Sequence, residues 1–558
     1  MTGPSAPKKI PAASDTRHCG QVVNIPTGRI FPGAVIVREG RILAVVEDPT
    51  VTEAGYLCPG FVDAHVHIES SMLTPPEFAR IAVTHGTTGT VSDPHEIANV
   101  LGIEGVRYMQ REAARTPLKI HLGIPSCVPA TGFETAGATI GPEAIETLCR
   151  DPSLIYLSEM MNFPGVVNRD PEVMEKLALA KRHGKHIDGH APGLRGDTLR
   201  AYVEAGIETD HECFLIDEAR EKQALGQKIL IREGSAAKNF EPLWPLLIEF
   251  PESCMLCSDD KHPDDLIAGH INTLCARAVA HGVPLFNVLR AACWNPVLHY
   301  GLRCGLLRPG DPADFIRLEN LTDFCVAETW IDGLCVARDG IPLLPQTSSP
   351  QVNHFHTNEK STADFRVPAT SRRIRVIQAL DGQIVTAAEA ADACIEMGCA
   401  VSDPAHDLLK ITVIDRYRNS PPAIAFVRGI GLKSGAIASS VAHDCHNIIA
   451  VGASDAALTR AVNLVIKAQG GIAVATSEDS GQVLALPVAG LMSNAPAEHV
   501  AASYAELTRE AQALGSPLNA PFMTLSFLAL LVIPALKLSD QGLFDSTHFK
   551  FTPLFLPD

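Results

Sequence analysis

Between residues 58 and 304 short apolar runs alternate with helical stretches, and this is the pattern that most restricts the fold. Candidate strands fall at 61–66, 87–92, 118–123, 153–158, 185–189, 206–210, 227–231 and 254–258. Among the intervening helices, 170–183 is the best marked. Asp170 can cap it, Pro171 fits its first turn, Val173, Leu177 and Ala180 lie along one face, and Gly184 ends it. In the next helix Asp197 is the expected cap and Gly206 the expected stop. Alternation of this kind, repeated about eight times over roughly 250 residues, suggests a parallel (β/α)8, TIM-like barrel.

The flanks of this region read differently. Ala34–Val37 and Arg41–Val46 are short β runs separated by Glu39-Gly40, a hairpin signal. After the barrel come a similar run, Ala313–Leu318, a strand near Val326, and turns at Gly333 and Gly340. Segments 20–57 and 305–345 are therefore expected to combine into one small β-sandwich domain, with the 58–304 barrel between them in the chain. Residues 342–368 are rich in Pro, Ser, Thr, Asn and His without periodicity, which predicts a linker over 346–369. Residues 370–558 return to a globular composition and read as a separate C-terminal α/β domain. It contains βαβ-like alternation: Asn447–Val451, a helix over 454–468, then Ile472–Ala475.

The chain has 558 residues, 46% of them hydrophobic and 20% charged, so it can bury several cores. Its net charge of −17 argues against a nucleic-acid partner, which needs clustered Lys and Arg, and against an anionic membrane surface. Met1–Arg17 lacks the apolar stretch of a secretory signal. Leu525–Leu536 is too short to span a bilayer and contains Pro534. Fifteen scattered cysteines fit reduced thiols in a cytoplasm rather than a disulfide framework.

Catalytic groups of such a barrel sit at the C-terminal ends of its strands. There the sequence places Asp63, His65 and His67, then Ser92–Glu96, Ser158-Glu159, His186–His190, Asp210–Glu212 and Ser258–Asp260. Any one of these alone is an ordinary polar strand end. Together, at the same end of successive strands, they are a metal-binding pattern. His65-x-His67 puts both imidazoles on one face of a strand. Imidazole and carboxylate donors suit a borderline divalent cation such as Zn, Mn or Fe, which lowers the pKa of bound water. Glu159 could bridge two ions, since no Lys stands there, and Asp259 could carry the proton of the attacking water.

Other motifs are weaker. Cys254-x-x-Cys257 lies inside an apolar run and reads as packing or as support behind the site residues rather than as a thioredoxin-like pair. His95–Asn99 lacks the second His of a zincin helix, and Gly429–Gly435 has the wrong spacing for a dinucleotide fingerprint. His443-Asp-Cys-His446 is open between a metal cluster, an interface cluster and a polar turn. The H-x-E and P-C-x-x-C signature of zinc cytidine deaminases is absent.

Longer motifs carry a resemblance. They are PGFVDAHVHIESSM over 59–72, DPHEIANVLG over 93–102, PSCVPA over 125–130, EMMNFPG over 159–165 and DGHAPG over 188–193. TDHEC over 209–213, REGSAAK over 232–238, SDDKHPDD over 258–265, ASSVAHDCHN over 438–447 and PFMTLSF over 521–527 continue it. With these the chain resembles the bacterial adenine deaminase family of the amidohydrolase superfamily, apart from its first twenty or so residues and the linker. Cys445, where Ser is expected, is a small departure. The resemblance implies hydrolysis of adenine to hypoxanthine and ammonia at a binuclear Mn2+ or Fe2+ centre. His65, His67 and Asp259 would hold one ion, His190 and His211 the other, with Glu159 bridging and a hydroxide attacking C6. It makes Asp259, Glu159 and His211 the catalytic candidates, and Asp260, Arg232, Ser126 and Glu212 the candidates for purine contacts. It also implies a possible third metal near Asp93/His95 and a homo-oligomer, dimer or larger. The alternative is an amidohydrolase acting on another cyclic amide or a modified purine.

Overall fold

The structure, a computed structural model, describes residues 15–235 and 237–557. The central region contains eight parallel strands in chain order: β1 (Phe61–Val66), β2 (Thr87–Ser92), β3 (Lys119–Ile124), β4 (Leu154–Met160), β5 (His186–Gly189), β6 (Thr209–Asp210), β7 (Lys228–Arg232) and β8 (Cys254–Cys257). The first five form one hydrogen-bonded sheet and the last three another. Two seams join them. Between β5 and β6 the Glu208 N–H donates to the Ile187 carbonyl at 2.9 Å. Between β8 and β1 the Asp259 N–H donates to the His65 carbonyl at 2.9 Å, beside a parallel bridge of Val66 with Asp259. Strand order and bridged seams together are those of a TIM-like barrel. Val62, Ala64, Val91, Tyr156, Leu230 and Met255 pack as one buried cluster, so the barrel has a filled core rather than a pore.

The helix over Pro171–Arg182 has the expected cap: Asp170 accepts from the Glu172 and Val173 N–H groups at 3.0 and 3.1 Å. The next helix departs from expectation. It spans Gly196–Glu204 with Arg195 at its N-cap, and Asp197 lies within the first turn. The Gly196 N–H is satisfied from outside by Glu221 at 2.7 Å, so the helix starts earlier and Asp197 faces the positive end of the dipole instead of capping it.

The flanking segments pair into one eight-stranded sheet. Tyr56–Pro59 runs antiparallel to Phe315–Leu318 and so joins the chain before the barrel to the chain after it. The hairpin Arg29–Arg38/Arg41–Glu47 turns on Glu39 and Gly40, with φ of 50° and 76°, values that match strand twist in a two-residue turn.

The C-terminal region is built on a second eight-stranded sheet. Within the expected strand–helix–strand unit, Ile448–Gly452 and Gly471–Ala475 are not adjacent; Ala436–Ser439 lies between them and antiparallel to both. The helix Asp455–Ala468 covers that trio through Leu458, Ala461, Val462 and Val465, set against Ala436, Ala438, Ala450 and Ala473, whose small side chains allow close approach. Segment 346–369 has little regular structure, as its composition predicted, but it is fastened at both sides. Ser349 donates to Glu112 at 2.6 Å and Tyr108 to the Pro350 carbonyl at 3.1 Å. The His356 N–H donates to the Arg416 carbonyl at 2.7 Å. Cys254 and Cys257 are buried in β8, where burial pushes the Cys254 thiol up to about 12, the signature of a packing role. Among the described residues no helix is long and apolar enough to cross a membrane.

The Asp170 cap predicts that Asp170→Ala lowers stability by about 1 kcal/mol while Asp170→Asn keeps most of it, read from denaturant-unfolding midpoints.

Candidate active site

The residues that alternate onto the barrel mouth converge there. His65 and His67 leave β1 two residues apart, and their Nε2 atoms stand 3.1 Å from each other. Asp259, just beyond β8, brings Oδ1 to 3.4 Å from His65 Nε2 and 3.2 Å from His67 Nε2. Glu159, in β4, faces two ways. Its Oε1 lies 3.3 Å from His67 Nε2, and its Oε2 lies 2.6 Å from His190 Nδ1 and 3.2 Å from His211 Nε2. All six side chains are buried.

The backbone and a second ring of polar groups set this arrangement. His67 Nδ1 donates to the Asp93 carbonyl at 3.2 Å, which turns Nε2 inward. Asp63 accepts from the Ser258 N–H at 3.0 Å, from the Ser258 hydroxyl and from His270 Nε2 at 2.8 Å, locking the end of β8 to β1. Asp210 accepts the Ala191 and Glu212 N–H groups at 3.0 and 2.8 Å, fixing the chain around His190 and His211. Asp259 itself has φ of 55°, a conformation non-glycine residues seldom adopt and one held here by the strand seam.

Burial opposes the ionisation of Glu159, yet His190, His211 and His67 hold its carboxyl well below the usual carboxylate range. Burial likewise opposes Asp259, and Arg232, His65 and His67 overcome it, holding that carboxyl well below its usual value. Asp260 goes the other way: burial and the charge of Asp259 raise it. Adjacent carboxyls are thus driven apart, one kept ionised and its neighbour made a weaker acid.

A transition-metal ion fits this donor set. Four imidazoles and two carboxylates of borderline softness converge in a buried place, and His65 Nδ1 and His190 Nε2 are buried without hydrogen-bond partners. Groups with metal-ligand spacing include His65/His67/Asp259, His65/Glu159/His211 and His67/Asp93/His95/Glu159.

The four expected purine contacts separate. Asp260, Glu212 and Arg232 line the cavity. Arg232, however, is committed to a clamp: Nη1 reaches Asp259 at 2.6 Å and Glu212, and Nη2 reaches Glu212 at 2.8 Å. Ser126 is not on the cavity wall. Its hydroxyl donates to the Glu159 carbonyl at 2.5 Å, so it positions the carboxylate from behind.

Most of the remaining wall comes from the C-terminal region and was not anticipated: Ile384, His443, Asp444, Phe527 and Leu530. His443 Nδ1 lies 2.6 Å from Glu96, and His446 Nε2 bonds the other oxygen of that carboxylate. His443-Asp-Cys-His446 thus resolves as an interface cluster around a barrel glutamate. The Phe527 ring stacks on His443 with centroids 4.9 Å apart. Lys537, buried, ties the Ile384 and Phe527 carbonyls at 2.7 and 2.9 Å, and burial pushes its ammonium down to about 7. The sequence signals for this wall were the His443–His446 cluster and the PFMTLSF motif that ends on Phe527; Ile384 and Leu530 are plain apolar residues.

Comparison with known proteins agrees with these features. The Amidohydrolase family matches residues 56–336, and the Adenine deaminase C-terminal domain matches 383–550. The chain is 54% identical to the adenine deaminase of Salinibacter ruber over 96% of its own length and 98% of the relative's. It is 56% identical to that of Sulfurovum sp. over 95% and 98%, and 52% identical to that of Methanosarcina mazei over 97% and 99%.

Because Glu96 joins the barrel to the C-terminal region, Glu96→Ala leaves two buried imidazoles without their carboxylate. Limited proteolysis should then cut within 346–369 faster than in wild type, and the unfolding midpoint should fall. Equal cleavage rates would show that Glu96 does not hold the two parts together.

Proposed function

The chain belongs to the adenine deaminase family of amidohydrolases, and from that premise we propose that its buried His/Glu/Asp cluster is a binuclear metal centre at which adenine becomes hypoxanthine and ammonia. The enzyme is a hydrolase acting on the C–N bond of adenine. The observation that carries the site assignment is the two-sided engagement of Glu159, with one oxygen toward His67 and the other toward His190 and His211. His65, His67 and Asp259 would hold one ion, His190 and His211 the other, with Glu159 between them. Mn2+ or Fe2+ bound there would acidify a water and stabilise developing negative charge. The grouping of Asp93 and His95 with His67 and Glu159 gives a place for a third ion.

The chain's own groups account for the proton movements. Asp259 is ionised and its Oδ2 is held by Arg232. It accepts a proton from the water that adds to C6, and C6 becomes tetrahedral. Asp259 delivers that proton to the amino group, the second water proton passes from the C6 oxygen to the ring nitrogen, the C6–N bond breaks, and ammonia leaves behind a C6 carbonyl. One adenine and one water thus give one hypoxanthine and one ammonia. Asp260, a weaker acid than its neighbour, and Glu212 stand where they can meet the ring edge. Phe527, Leu530, Ile384 and Met161 offer the apolar surface for its faces. Ligand-shaped polar groups in a buried wall reject analogues that leave them unpaired. The enzyme works in the cytoplasm on a free purine, as a homo-oligomer; the exposed Leu334, Ile341 and Leu343 at one edge of the composite sheet are suited to subunit contact.

Two outcomes test this. Chelation should abolish the loss of adenine absorbance and the stoichiometric release of ammonia, and Mn2+ or Fe2+ should restore both. A metal-loaded enzyme that leaves adenine untouched while converting another heterocycle would refute the substrate assignment. Asp259→Asn should lower kcat by about 10²–10⁴-fold. An unchanged kcat in that variant would remove Asp259 from the proton path.

A further inference from the structure

At the N-terminal end of the barrel, away from the catalytic mouth, three side chains from separate elements meet. His186 opens β5, Glu208 immediately precedes β6, and His299 lies in the helix Asn295–Tyr300 that follows the last strand. His186 Nδ1 is 2.7 Å from Glu208 Oε2. The His186 and His299 ring centroids are 4.8 Å apart at an interplanar angle of 44°. One donor atom from each of the three lies within 4.8 Å of the other two.

A surface ion pair explains His186 and Glu208 but not His299. Its Nε2 is buried and has no hydrogen-bond partner. Burial, and after it the neighbouring His186 and Lys228, disfavour its protonation and push it down to about 4. A neutral imidazole with a free ring nitrogen, set beside a second imidazole and a carboxylate, has the chemistry of a metal ligand. We propose that His186, Glu208 and His299 form a transition-metal site of the Zn2+ class, distinct from the catalytic centre, that fastens β5, the entry to β6 and the last barrel helix together. Two nitrogen donors to one oxygen select against Ca2+ and Mg2+, and three protein ligands leave a position for water. The site has a route to the core: Tyr300, next to His299, donates to Asp188 at 2.8 Å, and Asp188 lies in β5 two residues before His190.

Equilibrium dialysis of the Mn-loaded enzyme against Zn2+ tests this, with metal counted per chain in wild type, His299→Ala and the near-isosteric Glu208→Gln. Zinc that exchanges into the catalytic centre adds equally to all three. The wild type should retain one equivalent more than either variant, and Zn2+ should raise the Tm of the wild type alone. Co2+ should add ligand-field absorption in the wild type that both variants lack. Equal zinc counts in the three proteins, or an equal Tm response, would overturn the site. These readouts do not use adenine turnover, which both variants should keep.

Discussion

Glu159 is a buried carboxylate that four imidazoles share, His67 and His95 on one oxygen and His190 and His211 on the other. A buried anion with no compensation costs several kcal/mol, so its partners must be held in place before it can be tolerated. That requirement reaches outward. His67 is oriented by the Asp93 carbonyl, the segment around His211 by Asp210, and Glu159 itself by Ser126 at its carbonyl. Asp210 is in turn paired with Lys222, buried within the barrel wall. The mouth of the barrel is a chain of polar groups, each satisfied by the next, and the filled apolar core beneath gives them a rigid floor.

The parts of this that follow local rules were legible from residue order. Barrel strands alternate with helices at regular spacing, and the ends of β1, β4, β5, β6 and β8 carry the donors, because a parallel barrel puts all its strand ends on one face. Asp170 could be read as a cap because capping is decided within four residues. Asp197 could not, because Glu221, from another helix, binds the Gly196 N–H and the helix begins before Asp197. The same distinction applies to Arg232 and Ser126, where what each touches depends on Asp259, Glu212 and Glu159, which tertiary folding brings to them.

The C-terminal region is where sequence order revealed least. Ile384 and Leu530 look like any core residues, and the PFMTLSF motif singles out Phe527 without marking a cavity. Their placement comes from long-range contacts: Lys537 on two carbonyls, His443 stacked on Phe527, and both histidines of the 443–446 cluster closing on Glu96. Even segment 346–369, whose composition reads as a tether, is bonded at one side to the barrel helix Ile103–Ala113 and at the other to Arg416.

This shared wall has a consequence for how such an enzyme can be inherited. A recombination event that copied only the barrel would transmit the whole buried His/Glu/Asp cluster, yet Glu96 would lose both imidazoles and the pocket its Phe527 face. The barrel alone is thus an incomplete cavity, and a change at Glu96, His443 or His446 alters both segments at once.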